Sequence, residues 1–358
     1  MKIEIDEELK DLLNKKSFYE CIPDSIIRMG LNENLLIDKY FSYTLLMEAI
    51  KNIDTRLYPP AKGYNALKAI SEEYGINEDE IIVGNGSDEI IDLIAKVFVR
   101  RNEAIIIEPT FEMYSFYIKL MGGKVKSVLT NEDFDIDVDK VLSQVNKNTK
   151  VIFICSPNNP TGKQYEKEKI LKIVKEFQGI VVLDEAYADF ASYSILMEAS
   201  RYDNLIVLRS FSKSYGLAGL RIGYGVGNSE IINYLKSAQS PYSVNSIAQE
   251  VCRLVLKNKH VYDYFIKLVI DEREYLIAEL STIKEIKVFP SNANFILIKL
   301  LNYSSSYICE KLKNEGILVR DRGNLPLLEN CIRVTVGRKE DNIKFINTLR
   351  KILGLFHT

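Results

Sequence analysis

The stretch VLRSFSKSYGLAGLRIGYG, residues 207–225, decides the fold of this chain. It begins within an apolar run at 205–208 that predicts a buried strand, and a second strand-like run starts at Arg221. Between the two runs lies a polar cluster around Lys213. A lysine held at a strand end in a confined site can have a lowered pKa and react as the free amine. Most lysines lie on the surface, but this setting makes Lys213 a candidate nucleophile towards a carbonyl compound.

Phosphate-binding residue types flank Lys213 in the same loop. Ser210 and Ser212 precede it, and Arg221 follows eight residues later. Together with a carbonyl-reactive lysine, they indicate a cofactor that carries both an aldehyde and a phosphate, which is pyridoxal phosphate. The S-x-x-K pattern also occurs in penicillin-recognising enzymes, but no S-D-N or K-T-G follows here.

Composition fits a soluble globular enzyme. Of 358 residues, 47% are apolar and 27% are charged, and the formal net charge of -2 gives no reason to expect nucleic acid as a partner. The five cysteines are scattered without a C-x-x-C pair, which predicts reduced thiols. Only two histidines occur, so a histidine-rich zinc site and a Ser-His-Asp triad are both disfavoured.

The N-terminal sequence MKIEIDEELK lacks the apolar core of a signal peptide, and no run of about 18 apolar residues occurs. We therefore expect a cytoplasmic protein with no membrane partner.

Hydrophobic patterning predicts the domain organisation. Short β-rich runs, apolar on both faces, alternate with helical patterns from about residue 38 to 240; they lie at 81–83, 104–107, 124–129, 150–155, 179–184, 205–208 and 221–226. This pattern is typical of an α/β fold with a doubly wound, mostly parallel sheet. We predict an N-terminal arm at 1–35, a large domain at 36–243, and a smaller α+β domain at 244–358.

Two further motifs follow predicted strands. GNGSDE at 84–89 opens a helix, so the amides near Gly86, Ser87 and Asp88 would face an anion at a helix N-terminus, unless the motif only caps the helix. PTFEMY at 109–114 places Phe111 at the carboxyl end of the sheet, where ligands of such folds bind. That ring could stack on a flat cofactor or could be ordinary core.

Two more strands end in polar groups. SPNNPTG at 156–162 holds Asn159 between prolines in a stiff turn, either as a ligand or as a structural residue. VVLDEAY at 181–187 delivers Asp184 to a poorly hydrated position, where it would need a cationic partner to stay ionised. A protonated pyridine nitrogen is such a partner, and Tyr187 could reach the phenolic oxygen of the same ring.

The motifs, in this order and spacing, resemble the fold type I pyridoxal-phosphate aminotransferases. LNEN at 31–34, LYP at 57–59, PTFEMY and CIRVTVG at 331–337 are similar in particular to histidinol-phosphate aminotransferases. The resemblance extends from about residue 19 to 337. It implies a homodimeric transaminase that passes an amino group from a small-molecule donor to a 2-oxo acid such as 2-oxoglutarate in histidine biosynthesis.

The resemblance also implies a role for each matching residue. Lys213 corresponds to the cofactor-binding lysine, Asp184 to the partner of the pyridine nitrogen, and Tyr187 and Asn159 to ligands of the ring oxygen. The phosphate ligands would be Ser87, Ser210, Ser212 and Arg221, with Tyr58 supplied by the other subunit of a dimer. The substrate residues would be Arg333, Arg320, Tyr19, Asn34 and Asn159. Phe111 stands where the family usually has a tyrosine, and Leu35 replaces the usual proline after NEN.

Three alternatives remain open on the sequence. An aromatic-amino-acid aminotransferase would keep every cofactor residue and differ in the pocket. A threonine-phosphate decarboxylase would release carbon dioxide without needing a 2-oxo acid. A cofactor-sensing regulatory module could keep the fold, although no basic arm or DNA-binding extension is evident.

Overall fold

The computed structural model describes residues 10, 12–13, 22–23 and 25–355. Its helices are α1 (Lys39–Lys51), α2 (Tyr64–Tyr74), α3 (Ser87–Ile94), α4 (Glu112–Leu120), α5 (Val138–Ser143), α6 (Lys167–Glu176), α7 (Ser229–Ala238), α8 (Ser246–Lys257), α9 (Lys259–Leu280), α10 (Ser305–Asn314) and α11 (Lys339–Ile352). Several begin at a polar side chain that accepts a hydrogen bond from a first-turn amide, as Asp38, Asn245 and Ser304 do.

The strands form three sheets. They are β1 (Ile27–Arg28), β2 (Ile81–Gly84), β3 (Glu103–Glu108), β4 (Lys124–Leu129), β5 (Thr149–Cys155), β6 (Ile180–Asp184), β7 (Leu205–Ser210), β8 (Gly223–Gly227), β9 (Ile286–Val288), β10 (Phe295–Leu300), β11 (Ile317–Leu318), β12 (Arg320–Asp321) and β13 (Cys331–Thr335). Each of the seven runs predicted between residues 81 and 226 corresponds to one strand of the largest sheet.

The largest sheet has the order β2-β8-β7-β6-β5-β3-β4, and β8 runs antiparallel to both of its neighbours while the other pairs are parallel. Successive residues of each strand point to opposite faces, and both faces are buried. Val181 packs into the core on one face, and Val182 packs into the core on the other. The predicted α/β fold with a mostly parallel sheet is confirmed.

A smaller antiparallel sheet, in the order β12-β13-β10-β9, forms the C-terminal part with α10 and α11. The arm joins this part, because β1 pairs in parallel with β11 and Met29 is buried in the small-domain core. Helix α8 does not fit the predicted domain boundary at residue 244. Its apolar residues Val251, Cys252 and Val255 belong to the core under the large sheet. The hydrophobic pattern changes after Pro241, but the chain still contributes to the large-domain core beyond that point.

Among the residues that the structure describes, no helix combines the length and the apolar character needed to cross a membrane.

A buried ionic cluster links the ends of β6 and β7. Arg209 Nη1 lies 3.4 Å from a carboxylate oxygen of Glu185, and Nη2 contacts Asp189. Asp189 also accepts a hydrogen bond from the Ser214 hydroxyl at 2.5 Å. The cluster therefore connects the residue after Asp184 to both sides of Lys213 and fixes the loop that carries the lysine.

We predict that Glu185→Ala lowers the free energy of unfolding by about 3 kcal/mol, because it removes one buried partner of Arg209. The control is Asp263→Ala, which breaks the exposed Lys259–Asp263 pair on α9 and should change stability by less than about 0.5 kcal/mol. Urea unfolding followed by circular dichroism measures both. Equal stability of the two variants would contradict the structural role of the cluster.

Candidate active site

A cavity of about 950 Å³ opens at the carboxyl edge of the large sheet. Parallel strands end at this edge, so the residues that follow β3, β5, β6 and β7 converge there. Of the predicted site residues, those that line the cavity are Ser87, Asp88, Phe111, Asn159, Asp184, Tyr187, Ser210, Ser212, Lys213, Arg221, Arg320 and Arg333. The structure thus brings most of the predicted set together.

Lys213 lies in the loop after β7, and its Nζ donates a hydrogen bond to the carbonyl oxygen of Leu31 at 3.2 Å. Burial lowers the pKa of this amine from its ordinary 10.5 to about 8, and the nearby positive charge of Arg333 acts in the same direction. A substantial fraction of the amine is therefore uncharged near neutral pH. That is the form that attacks a carbonyl group or accepts a proton.

Asp184 is the last residue of β6, and its carboxylate is almost fully buried. The hydroxyl of Tyr114 donates to Oδ2 at 2.6 Å, and the amide of Ala186 donates to Oδ1 at 3.0 Å. Burial raises the pKa of Asp184, while these two hydrogen bonds oppose the rise. A cationic ligand in the cavity would favour the ionised carboxylate in the same way.

Tyr187 and Asn159 present polar groups beside the lysine. The Tyr187 hydroxyl accepts a hydrogen bond from Asn32 Nδ2 at 3.0 Å. Burial raises the pKa of the Tyr187 hydroxyl. Asn159 Oδ1 accepts from Arg333 Nη1 at 2.5 Å. Since its oxygen is engaged, the Asn159 amino group remains as a donor for a ligand.

The N-terminus of α3 and the guanidinium of Arg221 form the anion-binding end. Gly86 precedes α3 with a φ of 78°, and a Cβ there would lie 2.7 Å from Arg221 Nη2. A Cβ on Gly223 would lie 2.5 Å from the Ser87 amide nitrogen. Glycine at both positions therefore lets Arg221 and the helix terminus share one small space, as a phosphate site requires.

Asp88 lies beside this anion-binding end, but its carboxylate pairs with Arg221 Nη2 at 2.9 Å. This ion pair holds the Arg221 guanidinium beside the N-terminus of α3. Ser210 and Ser212 complete the end of the cavity, and both are buried.

Three guanidinium groups line the opposite, small-domain side of the cavity: Arg320, Arg322 and Arg333. Arg333 comes from β13 and also donates to the carbonyl oxygen of Gly30 at 2.6 Å. Arg322 Nη1 donates to Glu112 Oε2 at 2.9 Å, and burial lowers the pKa of its guanidinium. This side of the cavity favours anionic substrate groups.

Among the predicted residues that the structure describes, Gly86, Asn34 and Tyr58 do not line the cavity. Asn34 holds the arm to the lysine loop, because its Nδ2 donates to the Ser214 carbonyl and its Oδ1 accepts from the Leu36 amide. Tyr58 is 80% exposed and stacks on Tyr242 with 4.7 Å between ring centroids. Tyr19 lies outside the described residues.

Sequence reasoning did not identify Tyr114 as the partner of Asp184, and it missed Asn32 and the Glu112–Arg322 pair as site residues. Tyr114 lies three residues after Phe111, so a helix at PTFEMY could have indicated that both rings face the same side. No local signal identifies Asn32 as the partner of Tyr187, since 155 residues separate them.

The chain matches the family Aminotransferase class I and II over residues 26–349. It is 39% identical over 309 residues to the histidinol-phosphate aminotransferase of Caldanaerobacter subterraneus subsp. tengcongensis. The aligned region covers 86% of this chain and 87% of that protein. The chain belongs to the class I and II aminotransferases, and it is a transferase.

Two solved structures share the whole fold. The histidinol-phosphate aminotransferase of Clostridium acetobutylicum is 28% identical with a TM-score of 0.85, covering 92% of this chain and all of that one. The L-threonine-O-3-phosphate decarboxylase of Porphyromonas gingivalis is 25% identical with a TM-score of 0.81 and the same coverage. The predicted resemblance to aminotransferases is confirmed.

We predict that Lys213 reacts with a neutral amine-directed reagent with a midpoint near pH 8 instead of 10.5, because burial disfavours its charged form. The protein is first freed of bound carbonyl compounds with hydroxylamine. Quantitative mass spectrometry of the Lys213 peptide across pH 6–11 gives the midpoint. A midpoint near 10.5 would show that the amine is not desolvated.

Proposed function

We propose that this chain is a pyridoxal-phosphate-dependent transaminase whose amino donor is histidinol phosphate and whose acceptor is a 2-oxo acid such as 2-oxoglutarate. One observation carries the proposal. A single cavity contains the Lys213 amine with its lowered pKa, a phosphate-type site at α3, and a second cluster of guanidinium groups on the small-domain side. The names of the similar proteins support the same substrate.

The residues present fit the cofactor. Lys213 supplies the amine for its aldehyde, and Asp184 supplies a buried carboxylate for a protonated ring nitrogen. Tyr187 and Asn159 supply hydrogen-bond donors for the ring oxygen, and Phe111 supplies an aromatic face. Ser87, Ser210, Ser212 and Arg221 would hold the phosphate, in a space that glycines at 86 and 223 keep open.

When bound, pyridoxal phosphate accepts the electrons released as the Cα–H bond of the amino substrate breaks. Lys213 is placed to take that proton, because its pKa of about 8 lets it act both as base and as acid near neutral pH. Its hydrogen bond to Leu31 holds the amine at the cavity wall.

Asp184 and Tyr114 act as a unit. Burial raises the pKa of the Tyr114 hydroxyl, so Tyr114 stays protonated and donates to the carboxylate. That hydrogen bond orients Asp184 and favours its ionised form, which stabilises a proton on a neighbouring ring nitrogen.

Arg320 and Arg333 provide for both substrates of the reaction. Histidinol phosphate has a phosphate and no carboxylate, whereas a 2-oxo acid has a carboxylate and no phosphate. Arg333 would bind the carboxylate, as the resemblance implies, and Arg320 would bind the phosphate. A guanidinium group can serve either anion through paired N–H donors.

We predict that Arg320→Leu weakens kcat/KM for histidinol phosphate by roughly 10- to 100-fold, because one charge-assisted hydrogen-bond partner is lost. Activity towards phenylalanine, which has no phosphate, should fall less than about threefold. Glutamate formation from 2-oxoglutarate reports both donors, and Arg338→Leu is the exposed control.

Equal losses of kcat/KM for both donors would show that Arg320 does not contact the donor phosphate. No wild-type activity with histidinol phosphate would overturn the proposed donor. Carbon dioxide release from threonine phosphate would identify the decarboxylase alternative.

We also propose that the functional unit is a two-fold homodimer with a shared active site. Helix α1 and the segment after it expose large apolar side chains at Tyr40, Tyr43, Met47, Ile50, Leu57, Tyr58 and Tyr64. Monomeric proteins rarely expose so many together. The resemblance implies that Tyr58 reaches the cofactor phosphate of the other subunit, which explains why an aromatic side chain is exposed here and absent from its own cavity.

We predict that two inactive variants, Tyr58→Ala and Lys213→Ala, partly complement when co-expressed. A mixed dimer has one of its two sites with both native residues, so isolated mixed dimers should have about half of the wild-type activity. The measurement is transaminase activity of mixed dimers isolated through two different affinity tags. Isolated mixed dimers without activity, or an active monomer in sedimentation, would exclude the shared site.

A cytoplasmic location is also proposed. The described cysteines are all free thiols, Cys155, Cys252, Cys309 and Cys331, as is typical of a reducing compartment.

A further inference from the structure

The Glu112–Arg322 ion pair lies in the cavity wall and is not used by the reaction described above. Glu112 begins α4 in the large domain, directly after Phe111. Arg322 follows β12 in the small domain. Their 2.9 Å contact joins the two domains, and both residues line the cavity.

The two partners differ in exposure. The side chain of Arg322 is 10% exposed, whereas that of Glu112 is 31% exposed and lines the cavity. Arg322 binds Glu112 through Oε2, which leaves the second carboxylate oxygen, Oε1, as an acceptor. The pair therefore holds a carboxylate in a fixed orientation at the wall of the substrate space.

Glu112 lines the same cavity as Lys213, Tyr187 and Arg320. Arg322, which holds Glu112, is close enough to both Arg320 and Tyr187 to interact electrostatically with each. In histidinol phosphate the imidazole ring and the phosphate are on different branches of the carbon that carries the amine. With the amine at Lys213 and the phosphate at Arg320, a ring N–H is the donor group that is left for this carboxylate.

We propose that Glu112 is a specificity-determining residue that accepts a hydrogen bond from the ring N–H of the donor side chain. Arg322 is the positioning residue that holds the carboxylate. This inference rests on the proposed function, since it assigns the subsite for the imidazole of histidinol phosphate. A carboxylate acceptor favours a ring that carries N–H groups over a phenyl ring, which would offer no donor to Oε1.

The test compares histidinol phosphate with phenylalaninol phosphate, which keeps the amine, the phosphate and an aromatic ring but lacks ring N–H groups. For both donors, the second-order rate constant of the half-reaction with the amino donor is measured under single-turnover conditions. The proteins are the cofactor-loaded wild type, Glu112→Met, Arg322→Met and Glu108→Gln. Glu108 also lines the cavity and is the matched carboxylate control.

In Glu112→Met the preference for histidinol phosphate over phenylalaninol phosphate should fall roughly 10- to 100-fold, because one hydrogen bond to a charged acceptor is lost. In Arg322→Met the preference should also fall, but by less than in Glu112→Met, because the carboxylate remains and is no longer held in its orientation. Glu108→Gln should keep the wild-type preference.

An unchanged preference in Glu112→Met would overturn the inference. So would an unchanged preference in Arg322→Met, since the arginine would then not position the carboxylate, or a fall in Glu108→Gln, which would move the acceptor to Glu108. If the wild type turns over neither donor, the proposed function itself fails, and the subsite assignment falls with it.

Discussion

Burial of ionisable groups at one edge of the large sheet is the constraint on which the site depends. Asp184 is the last residue of β6, and Lys213 follows the adjacent parallel strand β7. Burial disfavours the charged form of each side chain. The carboxyl pKa therefore rises while the amine pKa falls to about 8. A cofactor with a cationic ring nitrogen and an aldehyde satisfies both groups, which is why a single ligand explains two oppositely perturbed residues.

The surrounding structure keeps these groups fixed. Tyr114 and Ala186 orient the Asp184 carboxylate, while the Arg209 cluster ties the lysine loop to the end of β6. The small domain contributes Arg333, which bonds Asn159 of the large domain and Gly30 of the arm. The groups proposed to bind substrate and cofactor therefore share a network, so movement of the small domain would be transmitted to the site.

Local patterns were enough to predict the large sheet and most of the site. Each strand is an apolar run of suitable length, and the parallel connection brings the polar residues after such runs to one edge, as for Asp184 and Lys213. Contacts between distant segments were not predictable in this way. The arm joins the small-domain core through β1 and β11, Asn32 reaches Tyr187, and α8 packs under the large sheet, because tertiary packing rather than local pattern selects these partners.

The direct test of the account is the identity of the residue that pyridoxal phosphate modifies. The purified protein is incubated with pyridoxal phosphate and reduced with borohydride, and the labelled peptide is identified by mass spectrometry. The account predicts one stoichiometric label on Lys213 and none in Lys213→Ala, because this amine is buried in the same cavity as the proposed phosphate ligands and has a lowered pKa. Stoichiometric labelling of another lysine, with Lys213 unmodified, would contradict it.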